Sequence, residues 1–177
     1  MSFAEAPIVS TNRLTLRAHR VEDFAALHAM WSEPVVHEFI TARPPTPEES
    51  WGRLLRYAGH WKLLGYGYWA VEERATGHFV GEMGFADYHR NKMAALKDTP
   101  ELGWVLSQAV HRRGYATEAL AAITEWGDRN FKAKRTACII APENAASLRV
   151  AHKLGFIEDK RTTYNDQPTV LLYRKAK

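Results

Sequence analysis

The sequence predicts an α/β (α+β) fold, built as one domain around a mixed sheet. Two adjacent strands follow an early helix pair, and the second half of the chain alternates strand, helix, strand and helix. The 177 residues are 46% hydrophobic and 11% aromatic, which suffices for one sizeable core but not for two full domains. We see no repeat, low-complexity tract or linker, so we expect a single domain over residues 1–177.

The N-terminal region predicts one strand and two helical pieces. Arg13–Arg17 reads RLTLR, and this alternation is typical of a short half-buried strand. Residues 21–31 place apolar side chains at helical spacing until Pro34 stops the run. Residues 36–40 then predict a second, shorter helical piece.

A longer helix begins after a turn-rich segment. Thr46, Pro47 and Glu49 supply a capping residue, a proline at the first helical position and the carboxylate of a capping box. The helix should end near Gly65, since glycine favours helix C-termini. We expect its apolar side to consist of Trp51, Leu54, Leu55, Ala58 and Trp61.

The middle of the chain predicts a hairpin, a loop and a strand that leads into a helix. Tyr68–Val71 and Phe79–Phe85 read as strands joined by the turn ATGH. The polar segment Asp87–Pro100 is typical of a mobile loop, and Glu101–Leu106 is the next strand. The helix that follows should end near Asn130. Its buried face should contain Ala119, Leu120, Ile123 and Trp126.

The C-terminal region predicts a strand, a helix and two closing strands. Thr136–Ile140 is a mostly apolar strand, and Asn144–Leu154 is a short helix that Gly155 stops. Phe156–Lys160 and Val170–Arg174 complete the sheet.

Composition excludes several classes of protein. Lys and Arg exceed Asp and Glu by only 24 to 20, which is far from the basic stripe of a nucleic-acid binder. No run of about 18 apolar residues predicts a membrane span, and the N-terminus lacks a signal-peptide pattern. Cys138 is the single cysteine, so a reducing, cytoplasmic location is expected. The eight histidines show no helical zinc spacing, and we predict no metal site.

The segment Trp104–Leu120, WVLSQAVHRRGYATEAL, carries the strongest functional signal. It joins an apolar strand to an amphipathic helix through a basic turn that contains Gly114. The first amides of a helix lack partners and carry the positive end of the helix dipole, so the turn favours a pyrophosphate. Gly114 lets the backbone approach the anion, and Ala116 is small enough not to crowd it. His111, Arg112 and Arg113 add cations.

Three segments in order resemble the GNAT superfamily of acyl-CoA N-acetyltransferases. They are the strand TNRLTLR with its helix pair, the strand and turn ELGWVLSQAVHRRGYATEA, and the helix PENAASLRVAHKLGF. The last is most similar to the ribosomal-protein-alanine branch, which is RimJ/RimL-like. The resemblance implies a mixed, largely antiparallel central sheet flanked by helices, with splayed parallel strands at the cofactor site. It also implies transfer of an acetyl group from acetyl-CoA to a primary amine, by direct attack in a ternary complex.

The same resemblance implies a set of cofactor-binding residues. The family's phosphate pattern falls on His111, Gly114 and Ala116, where His111 departs from the usual Gln or Arg. Main-chain groups of two strand residues would bind the pantetheine arm, and Asn144 would contact the cofactor, act as a plain helix cap, or both. The implied set is Val105, Leu106, His111, Arg112, Arg113, Gly114, Tyr115, Ala116, Thr117 and Asn144.

Catalysis needs a base, an oxyanion donor and a proton source for the thiolate. Glu101 is the first candidate for the base and Glu82 the second, and the Leu106 amide is a plausible oxyanion donor. The tyrosine that protonates the sulfur in many relatives is replaced here by Ala151. Ser147 is a nearby substitute, although a thiolate tolerates leaving without a dedicated acid near neutral pH.

Several alternatives remain open. A non-catalytic acyl-CoA-binding or regulatory domain would keep the cradle without the chemistry, and a nucleotide-binding protein is weaker because no GxxxxGK[ST] run is present. The acceptor is a protein N-terminus or a small amine, and basic residues in Asp87–Pro100 argue against a polyamine. Trp31 and Trp69 are candidates for walls of the acceptor pocket. Cys138 reads as an inert core residue, and a homodimer is a reasonable expectation.

Overall fold

The computed structural model describes residues 4–176, which form one eight-stranded sheet with helices on both faces. The strands are β1 (Val9–Ser10), β2 (Leu14–Arg17), β3 (Tyr68–Glu73), β4 (Phe79–Ala86), β5 (Glu101–Leu106), β6 (Arg135–Ile140), β7 (Ile157–Tyr164) and β8 (Gln167–Lys175). The helices are α1 (Phe24–Trp31), α2 (Pro34–His37), α3 (Pro47–Leu64), α4 (Tyr115–Asn130) and α5 (Ala145–Lys153).

The sheet has the order β1-β2-β3-β4-β5-β6-β8-β7, and β5–β6 is its parallel pair. That pair meets only where Glu101 faces Ala137, and the Ala137 N–H donates to the Pro100 carbonyl at 3.1 Å. Beyond this point the two strands diverge. The structure therefore confirms the predicted fold class, a largely antiparallel sheet with splayed parallel strands.

Alternation along β4 divides the core between the two faces of the sheet. Met83 and Phe85 pack with the buried side of α4, while Ala86 packs with α1, α2 and α3. The predicted buried residues Ala119, Leu120 and Ile123 of α4 are all fully buried. Trp126, predicted to be buried beside them, is half-buried and packs at the edge of the same core.

The ends of α3 follow the sequence signals. The Thr46 hydroxyl accepts from the Glu49 N–H at 3.2 Å, and the Glu49 carboxylate accepts from the Thr46 N–H at 2.8 Å. The helix ends at Gly65, whose φ of 74° is left-handed.

The predicted apolar side of α3 is partly wrong. Trp51 and Leu55 are 38% and 51% exposed, and Ala58 is exposed as well. The buried residues are Ser50, Leu54, Tyr57 and Trp61. The helix turns this stripe inward because the Ser50 hydroxyl bonds the ring of His28 on α1 at 2.9 Å and Tyr57 bonds a buried carboxylate.

Two other segments differ from expectation. The segment predicted as a mobile loop, 87–100, is anchored, because Met93 and Leu96 pack against Ala137 and Leu171. The closing strands β7 and β8 are longer than predicted, and the two-residue turn Asn165–Asp166, with φ of 48° and 62°, joins them. Within residues 4–176, no helix combines the length and apolar character that a bilayer crossing requires.

Thr46→Ala should lower the free energy of unfolding by about 1 kcal/mol, because it removes the acceptor for the Glu49 amide. Urea denaturation followed by circular dichroism measures the change. Thr46→Ser is the matched control, since it keeps a hydroxyl at the cap and should stay close to the parent protein. Equal losses in both variants would contradict a capping role.

Candidate active site

A cleft of about 600 Å³ lies on the sheet at the point where β6 leaves β5. Its floor is residues 101–105 of β5 and its far edge is residues 139–141 at the end of β6. The α1–α3 region, the 87–100 loop and the β7–β8 hairpin complete the walls. The cleft therefore gathers segments that are far apart in the sequence around the opening of the sheet.

Main-chain groups of β5 face this opening in an alternating pattern. The Ser107 N–H donates to the Val80 carbonyl of β4 at 3.0 Å, so the alternation turns the main chain of Val105 toward β4 as well. The main-chain groups of Trp104 and Leu106 point the other way, toward β6. The main chain of Val105 was expected to face the pantetheine arm, but it pairs with β4, although Val105 does line the cleft.

The turn after β5 is tied down at its start. The Glu33 carboxylate accepts from the Ser107 hydroxyl at 2.8 Å and from the Gln108 N–H at 2.6 Å. His111 Nε2 donates to the Leu106 carbonyl at 2.8 Å. The imidazole of His111, predicted as a cofactor contact, thus braces the turn, while the Leu106 N–H does not take part in that bond.

The turn presents unpaired amides at the start of α4. Gly114 is the N-cap with a left-handed φ of 79°, and no side chain caps the helix. In the described part of the chain, the N–H groups of Gly114, Tyr115, Ala116 and Thr117 find no acceptor. A Cβ added at Gly114 would meet only an Arg13 nitrogen at 3.5 Å, so space lies open above the turn. This cradle fits a diphosphate.

The side chains of the turn divide into two groups. Arg112 is exposed, and its backbone is in the left-handed region, with φ of 63°. Among residues 4–176 it forms no ion pair with a carboxylate. Arg113 lies 3.5 Å from the Glu73 carboxylate, and the buried Tyr115 hydroxyl donates to the same carboxylate at 2.6 Å. Arg112 is therefore more available than Arg113 to bind an anion. The Tyr115 hydroxyl is already engaged, so only the Tyr115 backbone amide is available to an anion.

Glu101 lines the cleft and is held by an arginine. Arg90 Nε donates to one Glu101 oxygen and Arg90 Nη2 to the other, both at 2.7 Å. Each carboxylate oxygen has a second lone pair, so this bidentate pair fixes Glu101 without using all of its acceptor capacity.

Glu82 is fully buried behind the cleft wall. One of its oxygens accepts from Trp31 Nε1 at 2.8 Å and from the Tyr57 hydroxyl at 2.5 Å, and the other has no hydrogen-bond partner. Burial is the largest influence and raises the pKa of Glu82. Trp31 and Tyr57 line the cleft in front of it, so Glu101 is the candidate base that reaches the cleft.

The start of α5 contributes the far edge. The Asn144 side-chain oxygen accepts from the Ser147 N–H at 3.0 Å, which confirms Asn144 as a helix cap. Both residues also line the cleft. Ala151 is fully buried in the core, while a tyrosine from another element, Tyr164 of β7, lines the cleft.

A tyrosine cluster lines one wall of the cleft, and sequence reasoning missed it. Tyr57 and Tyr68 stack with ring centroids 4.5 Å apart, and the Tyr88 hydroxyl lies 3.4 Å from that of Tyr68. Burial raises the pKa of Tyr57 and Tyr68, so both remain hydrogen-bond donors. A Cβ at Gly103 would lie 1.9 Å from the Tyr68 hydroxyl, so only glycine leaves room for that ring.

Two expectations about aromatic and sulfur residues have clear outcomes. Trp31 lines the cleft, but Trp69 is fully buried in the opposite core against Trp61 and Trp126 and is not a pocket wall. Cys138 is buried, and burial raises the pKa of its thiol, as expected for an inert core residue.

Comparison with known protein families establishes the family to which the chain belongs. Residues 13–157 match the model of the family described as "Acetyltransferase (GNAT) domain". The chain belongs to this GNAT family. It is therefore an acetyltransferase, and the resemblance predicted from its three motifs is confirmed.

Individual relatives agree with the assignment. A GnaT-family acetyltransferase from Bordetella pertussis superimposes with a TM-score of 0.85 at 28% identity, over 96% of this chain and 99% of that one. The uncharacterized N-acetyltransferase p20 of Bacillus licheniformis is 25% identical over 82% of this chain and 80% of its own length. RimL, a ribosomal L7/L12 alpha-N-protein acetyltransferase in complex with coenzyme A, shares the fold (TM-score 0.78, 96% and 98% coverage) at 16% identity.

Gly103→Ala should destabilise this acetyltransferase by about 1–3 kcal/mol, because the new methyl group would collide with the buried Tyr68 hydroxyl. Thermal unfolding of a double-mutant cycle tests the cause. Tyr68→Phe removes the clashing oxygen, so the double variant should lose less stability than the sum of the single variants. Strict additivity would contradict the proposed collision.

Proposed function

We propose that this GNAT protein transfers an acetyl group from acetyl-CoA to a primary amine, by direct attack in a ternary complex. The proposal depends on the unpaired amides that begin at Gly114. They lie at the start of α4, in the turn that follows β5, whose parallel neighbour β6 diverges from it. Direct attack is supported by the burial of Cys138, which cannot serve as an acyl carrier without leaving the core.

In this proposal the cofactor follows the opening of the sheet. The diphosphate lies on the amides of residues 114–117 beside Arg112, where the start of α4 adds its dipole. The pantetheine arm runs between β5 and β6 and bonds main-chain groups of Trp104, while the Leu106 carbonyl stays with His111. Asn144 and Ser147 approach it from the other side of the cleft.

Acetyl-CoA supplies the acyl group as a thioester, and the residues of the chain handle the proton and the charge. Glu101 accepts the amine proton, directly or through a water, as the new C–N bond forms. The Leu106 N–H donates to the carbonyl oxygen as negative charge grows on it. The C–S bond then breaks, and in this proposal Ser147 donates toward the leaving sulfur, which also tolerates departure as a thiolate.

The acceptor in this proposal is a protein N-terminus or a small amine. An α-amino group has an ordinary pKa near 7.7–8.0, about 2.5 units below that of a lysine, so it needs little help to lose its proton. RimL, which shares the fold, is named for action on a ribosomal-protein N-terminus. We also propose a cytoplasmic location, a single domain over residues 1–177 and a homodimer.

A non-catalytic acyl-CoA-binding domain is the second candidate. Two observations favour it: both oxygens of Glu101 already accept from Arg90, and Ala151 carries no acid. Acetyl transfer to a peptide and amine library, read by mass spectrometry, separates the candidates, because a binding domain would show cofactor binding without any acetylated amine.

Arg112→Gln should weaken acetyl-CoA binding about tenfold, since it removes a charged donor beside the diphosphate. Isothermal titration calorimetry measures the dissociation constant. Arg129→Gln is the matched control, because Arg129 is an exposed arginine on the last turn of α4. Failure of the parent protein to bind acetyl-CoA at high micromolar concentration would refute the proposed cradle.

Glu101→Gln should lower kcat about 100-fold, because the amide keeps the shape of the side chain but cannot accept the amine proton. Steady-state kinetics measure the change. Glu125→Gln, an exposed change on α4, is the control. A kcat equal to that of the parent protein would contradict the role of Glu101 as the base.

A further inference from the structure

The acceptor side of the cleft is rich in arginine. Arg53 and Arg56 project from α3, Arg90 projects from the 87–100 loop, and all three line the cleft. They lie among the rings of Trp31 and the tyrosine cluster of Tyr57, Tyr68 and Tyr88. The walls that would receive an amine therefore hold three guanidinium groups.

Only one of these charges is neutralised by a direct partner. Arg90 forms the bidentate pair with Glu101, and both side chains are largely buried. Among residues 4–176, neither Arg53 nor Arg56 forms an ion pair with a carboxylate. Two positive charges on α3 thus face the cleft without a partner in contact.

Aromatic rings contact both guanidinium groups. The Arg53 guanidinium stacks 3.5 Å above the centre of the Trp31 ring; its buried Nε has no hydrogen-bond partner, and the side chain also hydrogen-bonds Tyr57. The Arg56 guanidinium makes longer cation–π contacts, 5.8 Å and 5.6 Å from the ring centres of Tyr57 and Tyr88. The remaining N–H groups of a guanidinium held in this way can bind a carboxylate.

The acidic residues nearby do not cancel this charge. Glu82 interacts with Arg53 from behind the wall without direct contact, and burial raises the pKa of Glu82. Glu49 also interacts with Arg53 through space, but its ion pair is with Arg43. Glu38 is exposed on the rim of the cleft, and Glu143 is exposed beside the α5 edge. The charge of Glu101 is already paired with that of Arg90.

We propose that the amine acceptor carries a carboxylate, which Arg53 and Arg56 bind while the amine reaches Glu101. This inference rests on the proposed acetyl transfer and names its substrate class. The same two charges repel a polycationic amine, whose binding would place like charges together in a partly enclosed cleft.

Two sources supply a carboxylate close to an amine, and two matched pairs of probes distinguish them. The first pair is free L-leucine and L-leucinamide, which differ in the α-carboxylate. The second pair is the C-terminally amidated tripeptides Ala-Asp-Ala and Ala-Asn-Ala, which differ in a side-chain carboxylate near the N-terminus. Spermidine serves as the cationic probe.

The first measurement is binding of each probe, by calorimetry, to the protein saturated with coenzyme A. We expect the carboxylate-bearing member of at least one pair to bind about tenfold more tightly than its neutral partner. Equal affinities within both pairs, tighter binding of spermidine, or no binding of any probe would overturn the inference. The pair that responds identifies the source of the carboxylate.

The second measurement uses variants of the two arginines. Arg56→Gln removes an exposed charge with little risk to folding, and Arg53→Lys keeps the charge but loses the fork. Both should reduce the preference for the carboxylate about tenfold while the dissociation constant for acetyl-CoA stays unchanged, and Arg129→Gln should alter neither. A preference that survives both variants would contradict the assignment to α3.

Turnover separates this inference from the proposed function. Carboxylate-dependent binding with no acetylated product would refute acetyl transfer and leave the anion site standing. Acetylation of both members of each pair at equal rates, expressed per neutral amine, would support transfer and overturn the anion site.

Discussion

The divergence of β5 and β6 is the constraint on which the rest of the site depends. A parallel pair normally satisfies its main-chain groups along its whole length, but these strands pair only at Glu101 and Ala137. The main-chain groups of Trp104 and the N–H of Leu106 therefore point into a gap, whereas the Leu106 carbonyl accepts from His111. An unpaired N–H is costly when it is buried away from water. The opening persists because β4 holds one side of β5 and β8 holds β6, which leaves a ready-made position for an extended ligand.

Two different physical devices meet at this gap. The proposed cofactor end depends on backbone geometry, because unpaired amides and a left-handed glycine make the cradle at Gly114. The proposed acceptor end depends on side chains, with arginines against the rings of Trp31, Tyr57 and Tyr88 and one of them paired to Glu101. A backbone cradle is indifferent to most substitutions, whereas the side-chain wall changes character with each residue.

The turn at Gly114 could be predicted from the sequence better than the arginine-rich wall, for a physical reason. The signal at Gly114 is contiguous, so one strand-to-helix pattern was enough to locate the turn. The acceptor wall joins Arg53, Tyr88 and Tyr164, which lie far apart in the chain and share no period. The parallel pairing of β5 and β6 could be predicted only from the resemblance to the family, because local alternation does not reveal strand order.

The misplaced face of α3 has a related cause. Apolar periodicity marked Trp51 and Leu55 as core, yet the helix turns Ser50 and Tyr57 inward because hydrogen bonds to His28 and Glu82 compensate their burial. Polar residues with partners supplied by distant segments are invisible to a hydrophobic pattern. The long β7–β8 hairpin was underestimated for a similar reason, since β7 is an exposed, polar edge strand.

The position of β8 has a consequence for assembly during synthesis. This strand comes last in the order of the elements, yet it lies between β6 and β7 and brings the hairpin that closes the cleft. A nascent chain from which residues 167–175 have not emerged leaves β6 with an open edge and the cleft without its final wall. Such non-local closure is slow and leaves that edge available to chaperones or to mispairing until β8 has emerged and paired with β6.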